Sequence, residues 1–541
     1  MSDCDSHEPT QRLSRRDLLL RAGGIGLAVG GSTILGGELL NTLFGPKTQR
    51  APASARYLAV VVIDAARADY LGYGHLPNIT ALAAQGASFR NAWVGQMESI
   101  TPASHATIGT GVFPRNDGGI LGFWYENAQS HANYTCAPLD GSDPARVERI
   151  IKAAGVPTLS GLIKQQNPDA RIFTTSGQKF YAADAVGGPQ ADYISYFTVA
   201  QNNAWVPRSI PGHDLPNNII SNPGFTFPNY KTMLLGQQDY LAARVTAKVI
   251  EQERPRFVML NLAEMDWPVA HVNGGPVDPA AVTTVMENAD RAVGLLVDTY
   301  RQLGILDQTV FVVTGDHGVI PMTNQVDRTP LLDAVQKAGT GYVTSDFHTG
   351  GFLWLEDPAK APAVAANVDG AGVPGVAGTY YRGTDNNGNA TFLPGPATAT
   401  NVVGAIDAAY RYLLATLNGA DAPHVVILYK EHTGTLDAGG SVTWKGDHGG
   451  FSWESHAVPL IMAGPGIRRG YVSPFPARMV DLTPTMLRLL GVPYPRLDGV
   501  ALADAFSRPL QPELAAQTAV ARSLSPLVAA LQRQSKIDLS A

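Results

Sequence analysis

The sequence predicts an α/β protein with a mostly parallel central sheet flanked by helices, and with an inserted cap subdomain. Continuous apolar, β-branched runs recur at Tyr57–Ile63, Arg256–Leu262 and Thr309–Thr314. They lead into Asp64, into Glu264 and Asp266, and into Asp316 and His317. Such runs suit strands buried on both faces of a parallel sheet. Helical periodicity fills the intervals, as at Tyr240–Glu253 and Thr283–Gly304. Strands alternating with helices collect polar chemistry past the strand C-termini. A fourth apolar run, Val458–Ala463, ends in Gly-Pro-Gly. With 56 Gly and 38 Pro but only 16% charged residues, the chain reads as rich in loops and tight turns.

In chain order, residues 1–55 read as an address and linker. Ser14-Arg15-Arg16-Asp17-Leu18-Leu19 is a twin-arginine signature, followed by a weakly apolar, Gly- and Ala-rich run. Arg21 and Glu38 bracket a stretch that is short for a stable membrane span. Ala53-Ser54-Ala55 or Ala51-Pro52-Ala53 offers a small-residue cleavage site. The expectation is export through the twin-arginine translocation machinery to the periplasm, cell envelope or exterior, with no stable transmembrane domain. Of the two cysteines, Cys4 lies in this leader, so Cys136 would have no internal disulfide partner once the leader is cleaved.

Residues 56–339 read as the first part of the catalytic core, with a Pro-, Asn- and aromatic-rich surface excursion at about 187–236. Residues 340–440, with the turn-forming Asp385-Asn386-Asn387-Gly388-Asn389, read as the cap. Residues 441–505 return to the core, and 506–541 form a helical tail. A length of 541 residues exceeds what a single small core needs. The net charge of −6 gives no reason to expect binding to a nucleic-acid polymer or an anionic membrane.

Ser99-Ile100-Thr101-Pro102-Ala103-Ser104-His105 places small hydroxyls on a Pro-shaped turn entering a helix. A helix N-terminus supplies N–H donors and a favourable field for a phosphoryl group. A hydroxyl needs a base or metal to become a nucleophile. On residues alone Ser99, Thr101 and Ser104 are all candidates, and simple N-capping competes as an explanation. Asp64, Asp266, His271, Asp316, His317 and His448 are carboxylates and imidazoles placed after strands or in Gly-rich loops. Such O and N donors suit zinc, and two ions about 4 Å apart clamp an in-line displacement at phosphorus. Other divalent metals accept the same donors.

Val62-Ile63-Asp64, Thr101-Pro-Ala-Ser-His105, Thr314-Gly-Asp316-His317-Gly318 and Gly446-Asp447-His448-Gly449 together resemble the ordered motifs of the alkaline phosphatase superfamily. The likeness is to its type I nucleotide pyrophosphatase/phosphodiesterase-like branch and extends from Tyr57 to Val500. It implies two Zn2+, with Asp64, Thr101, Asp316 and His317 at one ion and Asp266, His271 and His448 at the other. It makes Thr101 the nucleophile that forms a phospho-threonine, and a small phosphate ester the substrate. Phosphodiester or pyrophosphate bonds are favoured, with phosphomonoesters as the alternative. His105, Asp69 and Asp447 take supporting places.

Three features depart from the branch pattern. Asp266 and His271 are five residues apart where four is usual, so either the loop bulges or Glu264 replaces Asp266. No Asn stands where the branch places one for a phosphoryl oxygen; Asn116 and Asn127 flank that position. Lys179, in Ser176-Gly177-Gln178-Lys179, resembles the Lys loop of related phosphomonoesterases, and would either offset charge on a terminal phosphate or lie on the surface. Phe123, Trp124, Tyr125 and Trp267 are candidates for a substrate pocket or for core. A sulfatase is disfavoured because the Thr101 segment lacks the Cys/Ser-x-Pro-x-Arg context. Leader and span considerations disfavour a glycolytic mutase and a membrane phosphoryl-group transferase. A non-catalytic metal-binding relative would be expected to have lost ligands, and none is missing here.

Overall fold

A computed structural model describes residues 53–120, 144–221, 225–436 and 443–538. The leader, Phe123, Trp124, Tyr125, Asn127 and Cys136 lie outside them. Seven strands come first: β1 (Tyr57–Ile63), β2 (Gly86–Trp93), β3 (Ile172–Ser176), β4 (Tyr193–Val199), β5 (Trp205–Ser209), β6 (Phe257–Leu262) and β7 (Thr309–Thr314). Two short strands, β8 (Ile320–Pro321) and β9 (Asn324–Val326), precede a second group. That group is β10 (Tyr342–Phe347), β11 (Gly350–Leu355), β12 (Val376–Thr384), β13 (Ala390–Pro394) and β14 (Val425–Tyr429). After β15 (Thr433–Thr435) and β16 (Gly446–Asp447) the chain returns with β17 (Leu460–Ala463) and β18 (Tyr471–Arg478).

Nine strands form the main sheet in the order β18-β2-β17-β7-β1-β6-β3-β4-β5. Its centre, β7-β1-β6-β3-β4, is parallel throughout. Every residue of β1, β6 and β7 is buried, which is why these strands are apolar on both faces. Two layers of core cover the faces, one holding Val60 and Val62, the other Val61 and Ile63, as the two-residue strand period requires.

One expectation from the sequence needs correction. The excursion at 187–236 is not all surface loop: β4 and β5 extend the sheet to its edge. The run ending at Ala463 is antiparallel to both of its neighbours, β2 and β7. Its Gly-Pro-Gly end therefore lies at the edge opposite Asp64 and Asp316, and its entry, near His456, lies on their side.

Residues 342–429 make a separate five-stranded sheet, β10-β11-β14-β12-β13. The C-terminal helix α5 (Gln511–Asp538) packs on α4 (Ala405–Leu417), with Leu524, Leu527, Val528 and Leu531 buried beside Leu413. Among the described residues this is the one helix long and apolar enough to cross a membrane, by length and composition.

Candidate active site

The C-terminal ends of the parallel strands converge as an α/β sheet dictates. Asp64 follows β1, Lys179 follows β3, Asp266 and His271 follow β6, and Asp316 and His317 follow β7. Thr101 is the first residue of α1 (Thr101–Thr110), and Lys179 caps the start of α2 (Phe180–Gly187). These two helices pack side by side because Gly109 has no side chain: a Cβ there would lie 2.3 Å from the Ala185 carbonyl oxygen. Their N-termini, and hence Thr101 and Lys179, are brought together by that contact.

Thr101 is 1% exposed. Its Oγ1 lies 2.9 Å from Lys179 Nζ, 3.1 Å from His317 Nε2 and 3.4 Å from Asp64 Oδ1. The other two candidate hydroxyls are elsewhere: Ser99 Oγ pairs with Ser455 Oγ at 2.7 Å, and Ser104 Oγ is buried without a hydrogen-bond partner. Lys179 is no surface residue. Its Nζ also reaches Asp64 Oδ1 at 2.8 Å and Asp266 Oδ2 at 2.7 Å.

Asp266 and His271 stand on a π-helical stretch, Met265–Val272, that contains Pro268. A π-turn brings residues five apart onto one side. Asp266 Oδ1 accordingly lies 3.5 Å from His271 Nε2, and 3.3 Å from His448 Nε2. The irregular spacing is thus absorbed by a local bulge.

Glu264 does not join them. Its carboxylate accepts the backbone N–H groups of Gly236 and Asp239 at 2.9 and 2.8 Å. Asp239 in turn accepts those of Ala263 and Glu264 at 2.7 and 3.0 Å. This reciprocal clasp ties the start of α3 (Gln237–Glu253) to the chain leaving β6. Glu264→Ala is expected to cost about 3 kcal/mol of stability, since two buried N–H groups lose their acceptors. A drop in melting temperature with metal uptake retained would be the expected pattern in a thermal melt and a metal titration.

The imidazoles are oriented by carbonyls. Nδ1 of His271 lies 3.0 Å from Gly446 O, and Nδ1 of His317 lies 2.9 Å from Gly318 O. Each Nδ1–H donates to that oxygen, which leaves the Nε2 lone pair facing the site. Asp316 Oδ1 accepts the N–H groups of Ala65 and His317, while Oδ2 has no partner. Asp64 Oδ2 accepts from Asn261 Nδ2 at 3.0 Å. Asn261 is a polar interruption in a buried strand, and it carried the only sequence signal of that role.

Electrostatics follow from this crowding. Burial opposes ionisation of Asp266, yet Lys179, His271 and His448 hold its carboxyl well below the usual carboxylate range. Burial likewise opposes the Lys179 ammonium, but Asp266 and Asp64 hold it well above the usual lysine range. Burial and then Asp316 push the Asp64 carboxyl up, against Lys179. Burial pushes the His271 imidazole down, and burial with neighbouring His448 pushes His317 well down. Neutral imidazoles are the ligand form of histidine.

The donors fit divalent cations. Asp266, His271 and His448 form one group, and Asp64, Asp266 and His317 another, each with donor atoms within 4.8 Å of one another. Asp316 Oδ2 lies 3.5 Å from His317 Nε2 beside the second group. Asp266 Oδ1, Asp316 Oδ2 and both ring nitrogens of His448 are buried with no hydrogen-bond partner. Buried polar atoms left unpaired in this number call for a ligand.

The remaining sequence candidates are structural. His105 Nδ1 lies 2.9 Å from the Thr101 carbonyl oxygen and 3.5 Å from Asp316 Oδ2. Asn116 donates to Asp498 and is spent there. Asp69 pairs with Arg67. Trp267 is 43% exposed beside Asp266, and Trp444 meets it edge-on at 6.0 Å while lying 3.8 Å from the His271 ring. Trp444 was not anticipated from the sequence.

Comparison with known proteins agrees with this architecture. The family model described as type I phosphodiesterase/nucleotide pyrophosphatase matches residues 58–450. The alkaline phosphatase PhoK of Sphingomonas sp is 26% identical over 311 residues, spanning 48% of this chain and 54% of that protein. The chain therefore aligns with about half the length of that relative. Among solved structures, a four-site variant of the alkaline phosphatase PafA superposes with a TM-score of 0.62 at 15% identity, covering 84% of this chain and 100% of that one. Human ectonucleotide pyrophosphatase/phosphodiesterase 5 gives 0.56 at 14% identity, with 84% and 100% covered. At such identities the structural likeness speaks for the fold alone. The family match covers well over half the chain, and it runs from β1 through the last Asp-His-Gly motif, including the ends of β1, β3, β6 and β7. On that match the chain belongs to the type I phosphodiesterase/nucleotide pyrophosphatase family, within the alkaline phosphatase superfamily.

Proposed function

We propose that this chain is an exported, metal-dependent hydrolase of small phosphate esters, with Thr101 as the nucleophile. The observation that carries the reading is the surroundings of Thr101 Oγ1: a helix N-terminus, the largely buried Lys179 ammonium, and a neutral His317 and the Asp64 carboxylate, both fully buried. Asp64, Thr101, Asp316 and His317 would hold one divalent ion and Asp266, His271 and His448 the other. Two Zn2+ are proposed, and the O and N donors also suit other divalent metals. Such ions would supply Lewis-acid stabilisation of the charge that develops on oxygen during displacement at phosphorus.

Thr101 Oγ1, having given up its proton, forms the bond to phosphorus as the bond to the ester oxygen breaks, giving a phospho-threonine. The leaving oxygen takes up a proton, and water then cleaves the phospho-threonine and restores the hydroxyl. The ammonium of Lys179 steadies the negative charge that gathers on the phosphoryl oxygens. The α1 N-terminus acts in the same sense.

The sequence leans towards diesters. Lys179 shifts that balance, because a terminal phosphate carries more negative charge than a diester and gains more from a buried ammonium at the nucleophile. We therefore favour phosphomonoesters. The diester reading keeps the family model and the exposed Trp267 beside Asp266 in its favour, since a second substituent needs a surface to rest on. Export rests on the twin-arginine residues Arg15 and Arg16, which lie outside the described residues.

The test is a paired assay of p-nitrophenyl phosphate and bis-p-nitrophenyl phosphate on zinc-loaded protein, with and without chelator. The expected result is chelator-sensitive turnover, higher on the monoester, restored by added Zn2+. Turnover indifferent to chelator would remove the metal from the proposal, and no turnover of either ester would remove the hydrolase.

A further inference from the structure

The second sheet does more than sit beside the site. The two-residue tip of its first hairpin, His348-Thr349 between β10 and β11, is pressed into the loop that carries His448. Thr349 Oγ1 donates to the His448 carbonyl at 3.0 Å and accepts from Gly450 N at 2.8 Å. The approach is so close that a Cβ on Gly450 would lie 2.4 Å from the Thr349 carbonyl oxygen, and one on Gly449 would lie 3.3 Å from His348 Cβ. The hairpin itself therefore requires glycine at 450, while Gly449 is called for by its left-handed backbone, φ 97°.

His348 works from inside this contact. Its Nδ1 lies 3.3 Å from both carboxylate oxygens of Asp447, and its Nε2 lies 3.3 Å from Asp346 Oδ1. Asp447 is fully buried; its Oδ1 accepts the His448 N–H at 2.8 Å and lies 3.8 Å from His271 Nδ1. The His348 ring also lies nearly parallel to that of His448, at 6.0 Å and 10°. One carboxylate thus faces both histidines of the Asp266 group, and it also meets an imidazole delivered by the inserted sheet.

We propose that His348 is a positioning residue: by donating from Nδ1 to Asp447 it holds His271 and His448 in the geometry that binds the divalent ion at Asp266. This rests on the metal reading proposed above. His348 touches neither substrate nor ion. It acts through Asp447, as groups behind a metal ligand do, and their loss weakens metal binding by about 10- to 100-fold. The inserted sheet is on this account part of the metal site, so that its docking and metal uptake are linked.

Two near-isosteric replacements separate positioning from packing. In His348→Asn the side-chain amide nitrogen takes the place of Nδ1 and can still donate to Asp447. In His348→Gln it takes the place of Nε2 and faces Asp346 instead. Both are polar and similar in size, so their metal-free melting temperatures should match. Equilibrium dialysis against Zn2+, with metal per chain measured, is expected to show two ions for wild type and for the Asn variant. In the Gln variant the weaker ion should bind 10- to 100-fold less tightly, with kcat falling alongside occupancy and restored by excess Zn2+. Equal uptake by the Asn and Gln variants, with wild type binding two ions, would overturn the role of His348 and leave the metal reading standing. Failure of wild type to bind two ions would overturn both.

Discussion

Thr101→Ala is expected to lower turnover by at least about 10^3-fold, the scale on which enzymes lose activity when a nucleophile is removed. That loss corresponds to about 4 kcal/mol of barrier. The fold should survive, because Thr101 begins α1 without capping it: no side-chain cap bond is made there, and the backbone run from Ile100 is unchanged by the substitution. Most of the site would also survive, since Asp64, Asp316 and His317 keep their own supports from Asn261, Ala65 and Gly318. Steady-state assays with metal content measured on the same sample decide it. Turnover near wild type would take Thr101 out of its role, whereas loss of activity together with loss of metal would make it a ligand first and a nucleophile second.

Lys179→Met should show the second large effect, in two places. Without the ammonium, the buried carboxylates of Asp64 and Asp266 face each other uncompensated in the metal-free protein. Breaking a buried pair in this way costs about 3–5 kcal/mol. The metal-free variant should therefore melt well below wild type, and added divalent ions should recover more of the difference than they add to wild type. In catalysis, loss of one preorganised donor costs about 10^2- to 10^3-fold. The loss should be larger for p-nitrophenyl phosphate than for the diester, because the monoester brings more negative charge to Nζ. Equal losses on both substrates would assign Lys179 to holding Asp64 and Asp266 together, with no direct part in reading the phosphate.

The distinction between a surface lysine and a buried one was not available from residue order. Ser176-Gly177-Gln178-Lys179 resembles the Lys loop of related phosphomonoesterases, but the residues alone leave a surface lysine equally open. It joins the site because it follows β3 at the sheet edge and because Gly109 lets α1 and α2 pack closely, which brings Lys179 to Thr101 across 78 residues of chain. His348 was hidden for the same reason: it is 99 residues from the Asp447 it meets, and neither pattern nor spacing marks it.

Sequence alone determined the α/β class and the edge at which the chemistry gathers. Strands buried on both faces are predominantly apolar, so β1, β6 and β7 announce themselves, and the polar residues that follow each run lie where the strands end. It also brought Asp64, Thr101, Asp266, His271, Asp316, His317 and His448 forward as a set, through motif order. Tertiary structure decided the rest. The π-helical turn settled how Asp266 and His271 meet at a spacing of five, because only backbone hydrogen bonding reveals an extra residue in a turn. The clasp with Asp239 settled that Glu264 is occupied, because a carboxylate's use depends on which N–H groups the fold turns towards it. The antiparallel entry of β17 and the docking of the 342–429 sheet on the His448 loop were likewise invisible in one dimension. Strand direction and long-range contact are properties of pairs of segments, and a linear pattern records each segment by itself.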